Sequence, residues 1–137
     1  MIPFLFPEAL PTDIIAANYQ YYEPITDHGS SLSPSVHAAI AARIGLKEDV
    51  QKYWDLSLNL DLLNLMQNTS LGIHLGNMGG AWQALIFHIL GAKFLDDKIE
   101  TTKQDQLQIP SNCSQIEFNL FYSNKNYPVK IDNKKEG

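Results

Sequence analysis

Apolar residues recur at helical spacing as far as about Gly91 and alternate beyond about Gln115, so the chain reads as a helical part followed by a strand part. The first helix is expected to start at Thr12, whose hydroxyl can cap the amides after Pro11. It carries Ile14, Ile15, Asn18, Tyr19 and Tyr22 and stops at Pro24. The second starts at Ser33-Pro34, a capping oxygen followed by a residue with no N–H to leave unpaired. Val36, Ala39, Ile40 and Ile44 form its apolar face, and Gly45 ends it. A third helix, from about Leu46 to Leu58, buries Val50, Tyr53, Trp54 and Leu58 and leaves Lys47, Glu48, Gln51 and Asp55 in water.

From about Met78 to Leu90 the polar face almost disappears, because Trp82, Ala84, Leu85, Ile86, Phe87, Ile89 and Leu90 surround the axis; a helix buried on all sides is expected. Trp54 and Trp82 both read as core. Asn59 to Asn77 is a long polar connection rich in Asn, Thr and Gly, and ordered connections of that length are often functional. Ala92 to Gln108 is charged and weakly patterned, with room for one strand. Then Ile116, Phe118, Leu120 and Tyr122 alternate with Gln115, Glu117, Asn119 and Phe121. A Ser-Asn-Lys-Asn turn leads on to Tyr127, Val129 and Ile131, which predicts a β-hairpin with one apolar face. Two strands alone are marginal in water, so that face needs helices or a second sheet. Residues 133–137 read as a disordered tail.

At 137 residues, with 45% apolar and 18% charged positions, the chain suits one packed domain. Ten basic against fifteen acidic residues give a net charge of -5, and no Lys or Arg precedes Arg43, which argues against a nucleic-acid partner. The single cysteine, Cys113, has no intrachain partner and no zinc-site spacing around it, so a reducing, cytoplasmic setting is expected. Met1 to Phe6 lacks the positive flank and the length of a signal peptide, and no stretch approaches the roughly 20 apolar residues of a membrane span.

Two clusters concentrate reactive side chains. In Tyr21 to Ser33, Ser30 and Ser31 lie two or three residues before the Ser33-Pro34 cap, where hydroxyls, amides and the helix dipole favour an anion such as phosphate. The same serines would equally cap and turn the chain. In Asn68 to Gly80, Gly79 and Gly80 at a helix start let amides approach a ligand, and His74 can donate a charged hydrogen bond to it. Alternatively, the glycines serve helix packing and His74 is a satisfied core histidine. His28, His37, His74 and His88 lack any H-E-x-x-H or comparable spacing, so no metal is expected. A serine hydrolase is disfavoured, because there is no G-x-S-x-G elbow and no third group for Ser30 and His28. Glu23, after two tyrosines and before a proline, suits a helix-end hydrogen bond better than a general acid.

Taken in order, Tyr21-Tyr22-Glu23, Thr26, His28, Ser30-Ser31-Leu32-Ser33 and His37, then Asp61-Leu62, Asn68-Thr69, Gly72, His74, Gly79-Gly80 and Trp82, resemble glycoside hydrolase family 65. That family includes the inverting phosphorylases of maltose, trehalose and kojibiose. The resemblance runs from about Phe4 to Leu90 and weakens through Leu107, Ile109, Pro110 and the Phe118 to Val129 hairpin, which look like the opening of the family's C-terminal β-domain. It implies a mainly α fold: part of an (α/α)6 six-hairpin barrel over residues 1–91, then the start of the β-domain over 92–137. It also implies an end-loop site for a sugar and inorganic phosphate. The phosphate pocket maps onto Ser30, Ser31, His74, Gly79 and Gly80, with Glu23 and His28 as further lining. No cofactor is implied beyond phosphate as co-substrate. In that chemistry phosphate attacks the anomeric carbon while one glutamic acid protonates the leaving glycosidic oxygen.

The family's catalytic domain is several times longer, its general acid lies upstream of the Tyr-Tyr-Glu motif, and the Lys-Gln pair that precedes Phe4-Leu5-Phe6 in the family is missing. The resemblance therefore implies a C-terminal piece that carries the phosphate-side half-site without the acid. Such a piece is inactive alone unless it joins a separately encoded N-terminal portion. Four helices cannot close a barrel of twelve, so apolar surface left on the Met78 to Leu90 helix predicts association. The alternatives are a non-catalytic phosphate- or sugar-binding or assembly module, and a remnant of a family 65 hydrolase. His28 with Ser30 and Ser31, where a hydrolase needs a carboxylate base, favours the phosphorylase.

Overall fold

A computed structural model describes residues 2–6, 8–96, 98–102 and 107–132. Its helices are α1 (Ile2–Leu5), α2 (Thr12–Tyr22), α3 (Ser33–Ile44), α4 (Lys47–Asn59) and α5 (Leu75–Gln83), the last continued by a π-helical segment, Ala84–Ile89. Short 3-10 turns lie at Glu23–Ile25 and Thr69–Leu71. Two antiparallel hairpins follow: β1 (Lys93–Phe94) with β2 (Ile99–Glu100), and β3 (Gln115–Tyr122) with β4 (Lys125–Asp132).

The central helix is α3. Pro34, Ser35, Ala38, Ala39, Ala41 and Ala42 are all buried, and these small side chains let α2, α4, α5 and the π segment approach it together. Val36, Ile40 and Ile44, half-buried, pack around the same core as Tyr19, Val50, Tyr53 and Trp54. Gly45 ends α3 at a φ of 76°, its N–H reaching the Ala41 and Ala42 carbonyls, as its position in the sequence predicts.

Four expectations are corrected. Thr12 and Ser33 are the first residues of α2 and α3, not their caps; those positions fall on Pro11 and Leu32, without a side-chain bond. At Ser33 the physical reason is competition, since two histidines hold its hydroxyl. Next, the helix expected at Met78 begins at Leu75 and is not buried all round, because Met78, Trp82 and Phe87 are 47%, 50% and 41% exposed. Its inner side is built from Gly80, Ala81, Ala84, Ile86 and Ile89, the residues that face the few neighbours this helix has. Leu58, also expected inside, is 46% exposed. With Leu62, Met78 and Trp82 it lines an open groove of about 420 Å³ between α4 and α5. Finally, the segment expected to hold one strand holds the small β1–β2 hairpin.

In the π segment the Leu90 N–H reaches the Leu85 carbonyl at 2.9 Å, a step of five residues where an α-helix takes four. Ala84 and Ile89 serve the helical core, whereas Ile86 and Leu90 face a second cluster with Ala92, Ile109, Leu120 and Ile131. The apolar face of β3–β4 packs into that cluster, in a register that pairs Ile116 with Ile131, Phe118 with Val129 and Leu120 with Tyr127. Ser123 and Asn124 turn the chain at φ 48° and 58°, a two-residue geometry that matches the twist of the strands. The expected tail, 133–137, lies outside the described residues. No described helix is long and apolar enough to cross a membrane.

Candidate functional site

The loop ahead of α3 is held by short local bonds. Gly29 N–H donates to Asp27 Oδ1 at 3.0 Å, Leu32 N–H to Ser30 Oγ at 3.3 Å, and Ser33 N–H to the Ser30 carbonyl at 2.9 Å. Because Ser30 Oγ accepts, its own O–H is left to donate. Ser31 is half-buried, and its hydroxyl bonds to no described residue.

Asp61, just past the end of α4, closes the long 59–77 connection. Its Oδ2 accepts the His74 backbone N–H at 2.8 Å and its Oδ1 lies 2.6 Å from the ring Nδ1. A carboxylate only accepts, so Nδ1 carries the proton and Nε2 is left for another partner. The bond to the His74 ring holds the Asp61 carboxyl below the usual carboxylate range. This clamp fixes His74 directly before α5.

The two clusters share one end of the helical bundle. A β-carbon at Gly76 would lie 3.3 Å from Leu32 Cδ2; one at Gly80 would overlap Ser35 Oγ and lie 3.2 Å from Ser35 Cβ. The contacts advance along α3 and α5 in the same direction, so both helices start at this end, with the positive ends of their dipoles together. Gly79 and Gly80, expected at the start of a helix, lie in the second turn of α5, where their N–H groups belong to the helix ladder. Gly80 is a packing glycine, and Gly79 faces open space.

Behind the serine loop runs a hydrogen-bond chain that the sequence did not reveal. Tyr53 on α4, only 1% exposed, donates to Glu23 Oε1 and lies 3.1 Å from His28 Nε2. His28 Nδ1 is 2.8 Å from Ser33 Oγ, which is 3.2 Å from His37 Nδ1. Lys52 Nζ meets the other end, 3.2 Å from Glu23 Oε1 and 3.1 Å from Tyr53 Oη. The Tyr53 bond first, and Lys52 second, hold Glu23 below the usual carboxylate range. Burial pushes the Tyr53 phenol up and holds the His37 imidazole down. Glu23 and His28 are thus joined through Tyr53, and His28 to the first residue of α3 through Ser33. Helical period places Tyr53 inward, and a buried phenol needs a partner. Spacing alone names neither Glu23 nor His28, which are 30 and 25 residues away.

The sequence pattern of the Glycosyl hydrolase family 65 central catalytic domain matches residues 1–83, and the chain belongs to this family. It is 32% identical over 131 residues to the alpha,alpha-trehalose phosphorylase of Geobacillus stearothermophilus, covering 96% of this chain and 17% of that protein. The kojibiose phosphorylase of Halothermothrix orenii is 32% identical over 97% of this chain and 16% of its own length; the maltose phosphorylase of Bacillus subtilis is 30% identical over 96% and 17%. A solved structure of a human-microbiome protein assigned as a kojibiose phosphorylase superposes with a TM-score of 0.82 at 34% identity, over 96% of this chain and 18% of that one. The chain thus spans about a sixth of the length of the curated relatives it matches.

Proposed function

We propose that the shared start of α3 and α5 is the phosphate side of an inverting disaccharide phosphorylase site, and that residues 1–91 are part of an (α/α)6 barrel with 92–137 opening a β-domain. The observation that carries this reading is the Ser30–Ser31 loop, with donor hydroxyls to spare, at the same helix ends as an Asp61-oriented His74. Paired helix N-termini, hydroxyls and an imidazole suit a doubly charged oxyanion and can replace the water it gives up. Gly79, with open space around it, leaves room beside the anion, and Gly80 sets how closely the two helices approach. The exposed groove of Leu58, Leu62, Met78 and Trp82 supports a barrel whose remaining helices cover it.

In the reaction a phosphate oxygen forms a bond to the anomeric carbon from the face opposite the glycosidic oxygen. The glycosidic C–O bond breaks, and a carboxylic acid supplied from outside these residues protonates the departing oxygen. The products are a sugar 1-phosphate of inverted configuration and a free sugar; no cofactor takes part. The disaccharide itself is selected by loops beyond this chain, and the cytoplasm is the fitting compartment.

The test is a melting series of the purified chain in rising inorganic phosphate. Phosphate at 100 times its dissociation constant stabilises a one-site protein by about 2.7 kcal/mol, so Tm climbs with concentration. Ser30→Ala with Ser31→Ala, or His74→Ala, abolishes the climb. A wild-type Tm indifferent to millimolar phosphate, or matched by chloride at equal ionic strength, would overturn the proposal. Turnover of maltose, trehalose or kojibiose by the chain alone would show that the acid is not supplied from outside.

A further inference from the structure

His28 occupies the left-handed region, at φ 53°, where a residue with a β-carbon sits only if its surroundings hold it there. Its ring is gripped on both sides. Nδ1 reaches forward five residues to Ser33 Oγ, while Nε2 reaches the Tyr53 hydroxyl of α4. The first bond spans the Gly29–Leu32 segment and, with Ser33 N–H on the Ser30 carbonyl, closes it into a ring. The second fastens that ring to the buried core.

The directions of these bonds are set from the carboxylate end: Glu23 accepts only, so Tyr53 donates to it and takes His28 Nε2–H on its own oxygen, which leaves Nδ1 of the neutral ring to accept from Ser33. His37 Nδ1 lies 2.8 Å from the Ser33 carbonyl, an acceptor only, so this nitrogen carries the proton. Ser33 Oγ accepts on the His37 side, and its O–H donates a hydrogen bond to His28 Nδ1. His28 Nε2–H donates to Tyr53 Oη, and Tyr53 donates to Glu23, whose carboxylate Lys52 anchors. Among the described residues the Tyr53 hydroxyl is the single group that links the carboxylate to the imidazole. Its ring also packs against both histidines, 5.1 Å from His28 and 5.0 Å from His37 between centroids.

We infer that Tyr53 is a positioning residue for the Ser30–Ser31 loop: through His28 it fixes the imidazole tautomer and the strained turn that present the serines at the start of α3. This rests on the phosphate reading above for its consequence, but its structural content stands apart from it. Tyr53, only 1% exposed, acts through another side chain.

The experiment compares Tyr53→Phe, which keeps the ring and removes the hydroxyl, with Tyr19→Phe. Tyr19 is a buried phenol on α2 that packs on His37 at 5.9 Å between centroids but whose hydroxyl bonds Asp49 at 2.9 Å, so its removal takes no hydrogen bond from the Tyr53–His28–Ser33 chain. Three readouts are taken on the full chain: amide exchange of residues 29–32, the ring-nitrogen shifts of His28, and the dissociation constant for inorganic phosphate. In wild type, His28 shows a protonated Nε2 and an accepting Nδ1. Tyr53→Phe retains the circular dichroism of wild type, exchanges the loop amides about tenfold faster and binds phosphate about tenfold more weakly, a loss equivalent to roughly 1.4 kcal/mol. Tyr19→Phe changes none of the three. Loop exchange and His28 shifts unaltered by Tyr53→Phe would refute the inference. So would a wild-type His28 with its proton on Nδ1, a result that needs no variant to fold. If wild type binds no phosphate, the anion reading of the loop fails while exchange and ring shifts still decide the role of Tyr53.

Discussion

Adjacent glycines in α5 are expected to respond to the same substitution with opposite signs. At Gly79 a β-carbon meets nothing within 4 Å, so Gly79→Ala gains only the helix preference of alanine, about 0.8–1.0 kcal/mol. At Gly80 the same gain is opposed. The new methyl overlaps Ser35 Oγ and lies 3.2 Å from Ser35 Cβ on a helix that is itself fully buried at that point. Rotating the hydroxyl away forfeits its 3.1 Å bond to the Leu32 carbonyl, roughly 1 kcal/mol, and overpacking adds about 2 kcal/mol more. The balance is a net loss of about 2 kcal/mol for Gly80→Ala against a gain of about 1 for Gly79→Ala. Urea unfolding of the two variants and wild type, followed by circular dichroism, reads both. Ser35→Ala combined with Gly80→Ala recovers part of the loss, since the oxygen is gone while the β-carbon remains. Equal effects at the two sites, or a stabilised Gly80→Ala, would refute the claim that α3 and α5 touch there.

Two further outcomes follow from burial. His88, stacked on Phe4 and donating from Nε2 to the Phe4 carbonyl at 3.1 Å, is held below the ordinary imidazole value of 6.5 by burial and then by Arg43; burial does the same for His37. The unfolded chain therefore binds more protons in the window just below 6.5. Stability is full above about pH 7.5 and falls as pH drops through 6.5, a decline that His88→Gln makes shallower; a Tm that rises on acidification across this window contradicts it. In fluorescence, Trp82 lies half exposed with its ring edge-on to Phe118 at 5.5 Å, while Trp54 is buried. Acrylamide quenches one component of the emission, and Trp82→Phe leaves a blue-shifted, protected one. Full protection of both indoles would put Trp82 inside.

Local chemistry was legible in the sequence and long-range chemistry was not. Gly45 announces the end of α3, and the alternation from Gln115 onward predicts the β3–β4 hairpin with its apolar face. Ser30, Ser31 and His74 stand out because hydroxyls and an imidazole gather near helix starts, and the structure brings those starts to one end. The centre of the bundle is not legible in the sequence, because hydrophobicity along a helix does not count the neighbours available to cover it. The greasy stretch at 78–90 keeps an open side, whereas α3, weaker in hydrophobic signal, is surrounded because alanines allow close approach. Ser33 looked like a cap because only its local partners are visible in sequence; His28 and His37 take its hydroxyl instead. The Tyr53–Glu23–His28 chain joins three elements, and nothing in spacing could assemble it.

The π step between Ala84 and Ile89 makes this stretch sensitive to length more than to composition. Losing the extra residue of the π step itself would restore regular winding with little rotation. Successive residues of an α-helix are offset by about 100°, however, so deleting one residue from the α-helical turn before the step, between Gly80 and Gln83, would rotate everything beyond it by that angle. Ile86 and Leu90 would leave the strand-side cluster, and His88 would lose the Phe4 carbonyl. Conservative exchanges such as Ile for Val cost about 0.5–1.5 kcal/mol each and leave the two clusters served by the same positions. Among relatives, insertions and deletions are thus expected in the exposed connection around residues 62–71, while between Gly80 and Gly91, where one helix keeps two cores in phase, the residue count changes only by loss of the extra residue of the π step.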